Sequence, residues 1–198
     1  MVRIASLAAT LAALSSAAAS ALRVKSLTHS GPGCPQDAKV TWSGGSGLDD
    51  LTVTLSDFSA TLAQGQMTTC QVHILLDQGE AGRALSLQDV VVRGGLYMSA
   101  NARVDFLTTA YWSETVSDTV TKQSTTTSGA SSSVRNVAVA QRLGAASTCV
   151  GSDGYVGILN VTFRIISQAG SRIVFGRERK DSGTAPVTER LTFAWQGC

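Results

Sequence analysis

The segment Thr52-Val53-Thr54-Leu55-Ser56-Asp57 alternates polar and apolar side chains along the chain. Successive side chains of a β-strand point to opposite faces of a sheet, so this period of two is typical of a strand with one buried face. The same period returns at two other places, in 72–76 through Val72, Ile74 and Leu76, and in 191–195 through Leu191, Phe193 and Trp195. These segments predict half-buried strands distributed over the whole chain.

Further segments rich in β-branched and aromatic residues extend the pattern, and glycine-rich or Asp-Gly turns separate them. They are 84–92, 96–107, 108–120, 134–140, 155–167 and 172–177. Since no segment after the first 21 residues has the periodicity of a long amphipathic helix, we predict an all-β domain, a two-sheet β-sandwich or jelly-roll-like fold stabilised by two disulfides. The polar stretch 124–133 predicts a mobile surface loop or the exposed face of a long hairpin.

The first 21 residues have the features of an export signal: Arg3 is followed by an apolar stretch and then by small residues from Ala17 to Ala21. We predict cleavage after Ala21, which leaves 22–198 as a single secreted, extracellular domain. The apolar stretch is too short to span a bilayer and no later segment is long and apolar enough, so no membrane insertion of the mature chain is expected.

The four cysteines, Cys34, Cys70, Cys149 and Cys198, are an even number in an exported chain and predict two disulfides. Four cysteines allow three pairings. Because Cys34 and Cys198 lie near the two ends of the mature chain, we favour Cys34–Cys198, which leaves Cys70 with Cys149. The spacings are too wide for a zinc site, and no metal or cofactor is predicted.

The formal net charge is +2, and the basic residues are scattered along the sequence. A nucleic-acid-binding protein needs its Lys and Arg gathered on one face. The densest local group, 177–181, carries both signs. The sequence therefore predicts no nucleic-acid partner.

Four short motifs occur in order along the chain: Gly33-Cys34-Pro35, Cys70-Gln71, Arg93-Gly94 and a terminal L-x-F-x-W-x-x-C over 191–198. In this order they resemble a fungal secreted family known as domain of unknown function 4360, and the resemblance spans essentially the whole mature chain. It implies a small extracellular cysteine-linked domain. It implies no catalytic or ligand-binding residue, and the polar stretch 124–133 departs from the family pattern.

Candidate chemistry is sparse. Hydrolysis of sugars needs two carboxylates that face one cleft, and the separate acidic residues along the strands offer candidates without showing which of them meet. A Ser or Cys hydrolase has only His29 and His73 as possible bases. Calcium ligands are a minor alternative at Asp49-Asp50 and Asp153. The carboxylate candidates are Asp57, Asp77, Asp89, Asp105, Glu114 and Glu189.

A set of aromatic residues suggests a surface on which sugars stack: Trp42, Tyr97, Tyr111, Trp112 and Trp195. Trp195 alternates with Leu191 and Phe193, which predicts a core position. Tyr111 and Trp112 are adjacent, so they point to opposite faces of their strand. We predict that one of this pair is exposed and binds the ligand.

Asn160-Val161-Thr162 is an acceptor sequence for N-linked sugar. Asn160 and Thr162 lie on the face opposite Val161 and Phe163, which predicts an exposed and glycosylated Asn160.

These observations predict a non-enzymatic extracellular or wall-associated domain that binds or supports other molecules, its partner a cell-wall polysaccharide or a host or surface protein. The alternatives are a secreted carbohydrate-active hydrolase that uses a carboxylate pair and a host-directed effector.

Overall fold

Alternating burial of side chains runs through most strands of the computed structural model, which describes residues 22–44, 50–180 and 183–198. Strand β5 shows it clearly, because every second side chain from Thr68 to Leu76 is buried. The predicted export signal, residues 1–21, lies outside the described residues. The strands are β1 Arg23–Ser30, β2 Val40–Gly44, β3 Asp50–Leu55, β4 Ala60–Leu62, β5 Met67–Asp77, β6 Arg83–Met98, β7 Arg103–Trp112, β8 Val120–Thr127, β9 Ser133–Ala146, β10 Gly157–Ala169, β11 Ile173–Gly176, β12 Glu178–Lys180, β13 Gly183–Ala185 and β14 Val187–Gly197, with a 3₁₀ segment Ser113–Asp118 between β7 and β8.

The strands form two antiparallel sheets and a small ribbon of β12 and β13. The first sheet has the order β1-β5-β10-β7-β8, and the second has the order β2-β3-β14-β6-β11-β4, with β9 also paired to β6. Strand β6 is 16 residues long and is the centre of the second sheet. One of its edges pairs first with β14 and then with β11, and the other edge pairs with β9. The predicted all-β, two-sheet fold is confirmed.

Four phenylalanine rings fill the space between the sheets. Phe106 and Phe163 come from the first sheet, Phe175 comes from the second, and Phe58 comes from the segment between β3 and β4. The Phe106 and Phe175 centroids are 5.6 Å apart, so the two sheets contact each other directly. Aromatic pairs at this separation stabilise a core beyond the area that they bury.

Two hydrogen bonds also join the sheets. The Nε1 of Trp112 in β7 donates to the carbonyl oxygen of Ala145 in β9 over 3.1 Å. The Nε2 of Gln141 in β9 donates to the carbonyl oxygen of Phe106 in β7 over 3.0 Å. Both donors are buried, and such bonds fix the position of one sheet on the other because leaving either donor unpaired costs free energy.

The predicted disulfide pairing is wrong: the bonds are Cys34–Cys70 and Cys149–Cys198. Strand pairing explains the first bond, because β1 runs antiparallel to β5 and the Gly33 amide then donates to the Thr69 carbonyl over 2.8 Å. This brings Cys34 beside Cys70.

The backbone of Arg83 explains the second bond. Arg83 pairs with Gly197 at the end of β14, and its carbonyl oxygen accepts a hydrogen bond from the Val150 amide at 2.8 Å. Residues 149 and 198 therefore meet there. Cys34 follows β1 of the first sheet and Cys198 follows β14 of the second, so positions close to residues 22 and 198 did not indicate a shared bond.

The polar stretch 124–133 is partly strand. Residues 124–127 belong to β8 in the first sheet and residue 133 begins β9 in the second, so 128–132 cross between the sheets. Of the two predicted forms, a loop is wrong for 124–127, whereas the exposed face of a hairpin agrees with them, because they pair antiparallel with β7 and alternate between half-buried and exposed positions. Bonding explains the difference, since the Thr125 hydroxyl donates to Asp105 over 2.7 Å and the Ser128 hydroxyl donates to the Ser99 carbonyl over 2.6 Å.

In the described part of the chain, no helix has the length and apolar character that crossing a membrane requires.

Candidate functional site

A groove of about 660 Å³ lies on the outer face of the second sheet, over β6, β9 and β11. Its floor is low because Gly95 in β6 and Gly176 in β11 are directly opposite each other and carry no side chain. Beside them, Tyr97 of β6 lies between Val134 of β9 and Val174 of β11 in one row across the strands. Two glycines next to an aromatic ring flanked by valines therefore form a depression with an apolar floor.

The segment Ser56–Ser59, between β3 and β4, forms one wall of this groove. Within it, a carboxylate oxygen of Asp57 accepts a hydrogen bond from the Lys39 amide at 2.8 Å, and the Ser56 carbonyl accepts one from Arg177 at 3.3 Å. Phe58 points the other way, into the core. The wall is thus anchored from below by a buried ring and from the sides by two hydrogen bonds.

Three exposed arginines, Arg135, Arg172 and Arg177, line the groove, and Asp57 is the one carboxylate among its described lining residues. Arg172 and Arg177 immediately precede and follow β11, while Arg135 lies across β6 on β9. None of the ion pairs between described side chains involves these arginines; the pairs are Arg23–Asp77, Arg83–Glu80, Arg103–Asp105, Arg142–Asp89 and Arg190–Asp50. The groove therefore combines an apolar floor with cationic ends.

The candidate carboxylates other than Asp57 lie away from the groove. Asp77, Asp89 and Asp105 belong to ion pairs, and Asp105 also accepts hydrogen bonds from Thr125 and Gln168. A two-carboxylate hydrolysis needs both acids at one cleft. The lining residues of the groove supply one.

Glu114 accepts hydrogen bonds from the segment that leads into β10. Its Oε1 accepts the Tyr155 hydroxyl at 2.6 Å, and its two oxygens lie 3.3 and 3.4 Å from the Ile158 amide. The hydrogen bond, followed by burial and the charge of Glu114, raises the pKa of Tyr155 to about 12. Glu114 thus helps to anchor the start of β10.

Glu189 lies on β14 and faces the core between the sheets. It is 1% exposed, and neither carboxylate oxygen has a hydrogen-bond partner among the described residues. Burial raises its pKa to about 8, because the charged form would lose its hydration without gaining a partner. At neutral and acidic pH this side chain is an uncharged carboxylic acid in the core.

The predicted exposed aromatic pair is divided by the strand, as alternation requires. Trp112 is 1% exposed and packs in the core, which leaves Tyr111 as the member of the pair that reaches an outer face; ligand binding by either residue stays a prediction. Tyr111 lies on the outer face of the first sheet and is half-buried, and its hydroxyl accepts a hydrogen bond from Gln71 at 3.2 Å. Of the other aromatic candidates, Trp42 is exposed on β2, Trp195 is half-buried below Arg83, and Tyr97 lies in the groove.

Asn160 is also on the outer face of the first sheet, but it is 3% exposed. Its Oδ1 is 2.6 Å from Nδ1 of His73, and its Nδ2 donates to the Ser113 hydroxyl at 2.9 Å and to the Ile158 carbonyl at 3.2 Å. The predicted exposure of Asn160 is wrong, because neighbouring strands place polar partners around it. A glycan needs the same Nδ2 atom that these bonds occupy.

No group of three or more His, Cys, Asp or Glu side chains that could hold a metal ion occurs within the described residues. Of the calcium candidates, Asp49 lies outside the described residues, Asp50 pairs with Arg190, and Asp153 accepts the Tyr155 amide in a turn.

A protein-family model described as "Domain of unknown function (DUF4360)" matches residues 20–198. The chain belongs to the DUF4360 family. Comparison with curated proteins gives no match.

Several solved structures are similar to this DUF4360 chain at 10–11% identity. TmCBM61 in complex with β-1,4-galactotriose gives a TM-score of 0.27, with 88% of this chain and 90% of that chain covered. The CBM22-1 xylan-binding domain from Paenibacillus barcinonensis Xyn10C gives 0.29, with 83% and 86% covered. The enzymatically active domain of bacteriophage CBA120 tailspike protein 4 gives 0.26; the match covers 84% of this chain and only 19% of the tailspike chain. At these TM-scores, no ligand or activity is carried from those proteins to the DUF4360 chain.

Sequence reasoning singled out Tyr97 only as one of several aromatics, and it did not find the arginines. They are separated by 37 and 5 positions along the chain (135, 172 and 177), and only the pairing of β6 with both β9 and β11 brings them to one groove. Gly95 and Gly176 indicate the depression only when β6 and β11 are known to be neighbours, because the two glycines are far apart in sequence. In this DUF4360 chain the site therefore depends on long-range pairing.

Proposed function

We propose that the protein is a secreted, non-enzymatic domain that binds a cell-wall polysaccharide in the groove around Tyr97. The observation that carries the proposal is the groove itself, whose volume falls in the range of about 300–1,000 Å³ that is usual for ligand sites. The two disulfides fit a protein that works outside the cell. Action at a fungal surface is part of the same proposal.

The chemistry of the lining suits a sugar chain. A pyranose has a face of C–H groups, which packs on an aromatic ring, and a rim of hydroxyls, which both donate and accept hydrogen bonds. Tyr97 and its flanking valines provide the apolar surface, and the arginines with the Ser56–Ser59 wall provide polar groups around it. The groove lies open along the sheet surface, so a long chain can enter from the side.

The carboxylates support a non-catalytic role. Asp57 accepts a hydrogen bond from the Lys39 amide, and the described lining residues include no second acid to act with it. Retention of the polysaccharide without cleavage is the expected behaviour.

The test is binding of the purified, oxidised protein to insoluble chitin, β-glucan and cellulose, with soluble sugar measured in the same tubes. We expect retention on at least one polysaccharide and no release of sugar. Release would replace binding with hydrolysis as the function. Neither retention nor release, on these or on soluble polysaccharides, would refute polysaccharide binding and favour a protein partner.

Two variants locate the site. Tyr97→Ala removes the aromatic floor and is expected to weaken binding about tenfold. Gly176→Val fills the groove, and the backbone tolerates the added Cβ, which would lie 3.5 Å from the Phe58 carbonyl oxygen and 3.8 Å from Ser59 Cα.

Tyr111→Ala is the matched control for Tyr97→Ala, because it makes the same change on the opposite outer face. It also tests the sequence-based assignment of Tyr111 as the binding aromatic. If Tyr111→Ala abolishes binding while Tyr97→Ala does not, the site lies on the first sheet.

A further inference from the structure

The arginines of the groove have no acidic partner among the described side chains. Arg135, Arg172 and Arg177 are exposed, and no described carboxylate forms an ion pair with any of them. The Arg177 guanidinium donates to the Ser56 carbonyl, which is a neutral acceptor, so this bond does not pair its charge. Arginine remains protonated at any physiological pH.

Their placement brackets the apolar floor. Arg172 and Arg177 stand at the two ends of β11, roughly 16 Å apart at the usual rise of a strand. Tyr97 pairs with Val174, between these two ends. Arg135 pairs with the core-facing Leu96, so its side chain lies on the opposite face of the sheet from Tyr97. A ligand that reaches both ends of β11 while covering Tyr97 is longer than one sugar ring.

The net charge of the whole chain is only +2, so the cationic character of the groove is local. Exposed arginines elsewhere include paired ones, such as Arg103 with Asp105 on the first sheet and Arg190 with Asp50 on the second. Local positive charge beside an aromatic floor selects for a ligand that carries both sugar rings and negative groups. Carboxylates suit it well, since guanidinium groups bind them through two parallel hydrogen bonds.

We propose that the polysaccharide bound in this groove is acidic, with sugar carboxylates contacting Arg172 and Arg177 at the ends of β11. This inference rests on the proposed function, since it specifies the ligand class for the same groove. Nucleic acid also carries negative charge, but a strand of bases needs several aromatic rings on which to stack, and among the described lining residues only the half-buried ring of Tyr97 faces the groove, which favours the sugar polymer.

The experiment compares polygalacturonate with the same polymer after full methyl esterification, which keeps the sugar chain and removes its charge. We expect the protein to bind polygalacturonate at least tenfold more tightly than the ester, and the affinity to fall as sodium chloride is raised. Equal affinity for the two polymers would overturn the acidic-ligand inference while leaving polysaccharide binding in place. No binding of either polymer or of neutral wall polysaccharides would refute both proposals.

Arg172→Gln and Arg177→Gln are each expected to weaken binding of polygalacturonate roughly tenfold and to change binding of the methyl ester less than twofold. Arg164→Gln is the matched control, because Arg164 is exposed on the outer face of the first sheet and the substitution removes the same charge. If Arg164→Gln weakens binding as much as the groove variants do, the effect is general electrostatics and the inference fails. A single-stranded DNA oligonucleotide that binds as tightly as polygalacturonate, with the same dependence on Arg172, would likewise overturn it.

Discussion

The outer faces of the two sheets use their polar side chains in different ways. On the first sheet, Asn160 bonds to His73 and Ser113 within the face itself. On the second sheet, Arg172 and Arg177 stand at the ends of a groove with no ion-pair partner among the described side chains. A ligand that uses Asn160 on the first face must break bonds that already exist, whereas a ligand in the groove meets guanidinium groups whose charge no described carboxylate pairs. The comparison teaches that an abundance of polar residues is not by itself a sign of a binding face, and it is the unpaired charges of the groove that support the proposed site.

The same contrast extends into the core and gives the largest expected effect. The core-facing carboxyl of Glu189 on the second sheet has no described partner, and burial raises its pKa to about 8. In the unfolded chain the pKa of a Glu is near its ordinary value of about 4.3. Between these two values the unfolded state is ionised and the folded state is not, so the free energy of unfolding decreases as pH rises.

Glu189→Gln removes this titration with little change of shape. The variant should exceed the wild type in free energy of unfolding by the smallest amount at pH 4. The ratio of the two unfolding equilibrium constants should then grow about tenfold per pH unit, and the difference in free energy should approach about 5 kcal/mol by pH 8. Chemical denaturation of both proteins across pH 4–9 measures it. Parallel pH profiles for the two proteins would contradict the buried neutral carboxyl.

How far the sequence predicts this molecule depends on the range of the interaction. Alternation in 191–195 and in 52–55 predicted strands correctly, although 56–57 turn away at the end of β3. It also placed Tyr111 and Trp112 on opposite faces, because these are properties of a single strand. It failed for Asn160, whose burial comes from His73 and Ser113 on other segments.

The sequence failed to predict the disulfide pairing and the groove for the same reason. Cys34 bonds to Cys70 because β1 pairs with β5. The backbone of Arg135 lies across β6 from β11 because both β9 and β11 pair with β6. Strand order is set by packing of the whole core, in which many arrangements of similar strands satisfy the same local pattern.

Asn160→Ala breaks the self-bonded face and is the next largest change. It removes three hydrogen bonds and leaves the His73 ring without its buried partner, so a loss of roughly 2–3 kcal/mol of unfolding free energy is expected. Denaturant titration measures this loss. Affinity for the polysaccharide should not change, and a large drop in affinity for a folded Asn160→Ala protein would place the ligand on the first sheet.

Burial of Asn160 also gives a prediction about glycosylation. Because Nδ2 already donates to two acceptors within the fold, the folded protein from a eukaryotic secretory host should carry no N-linked sugar there. Enzymatic deglycosylation under denaturing conditions should leave its mass unchanged. A decrease of one glycan that is absent in Thr162→Ala would show that the sequon is used.

Two core phenylalanines sharpen the comparison between the sheets. Phe163 lies under the first outer face and Phe175 lies under the groove, and their ring centroids are 5.9 Å apart. Phe163→Leu and Phe175→Leu should each cost about 1–2 kcal/mol of unfolding free energy, because they remove similar volume from one cluster. Only Phe175→Leu should also weaken binding, since Phe175 precedes Gly176 and supports β11. Equal effects of both variants on affinity would mean that binding reports general stability.

Tyr111→Phe is the smallest change and the most specific test of the self-bonded face. It removes the hydroxyl that accepts the Gln71 hydrogen bond and keeps the ring, so a loss of about 1 kcal/mol or less is expected from this half-buried pair. Tyr97→Phe makes the same chemical change in the groove, where it should leave stability unaltered and lower affinity by a few-fold if the hydroxyl contacts the ligand. Denaturation and binding titrations of both variants decide the matter: stability should respond at Tyr111 and affinity at Tyr97. The reverse pattern would assign the ligand to the first sheet, because a hydroxyl that is already bonded would then be the one that the ligand uses.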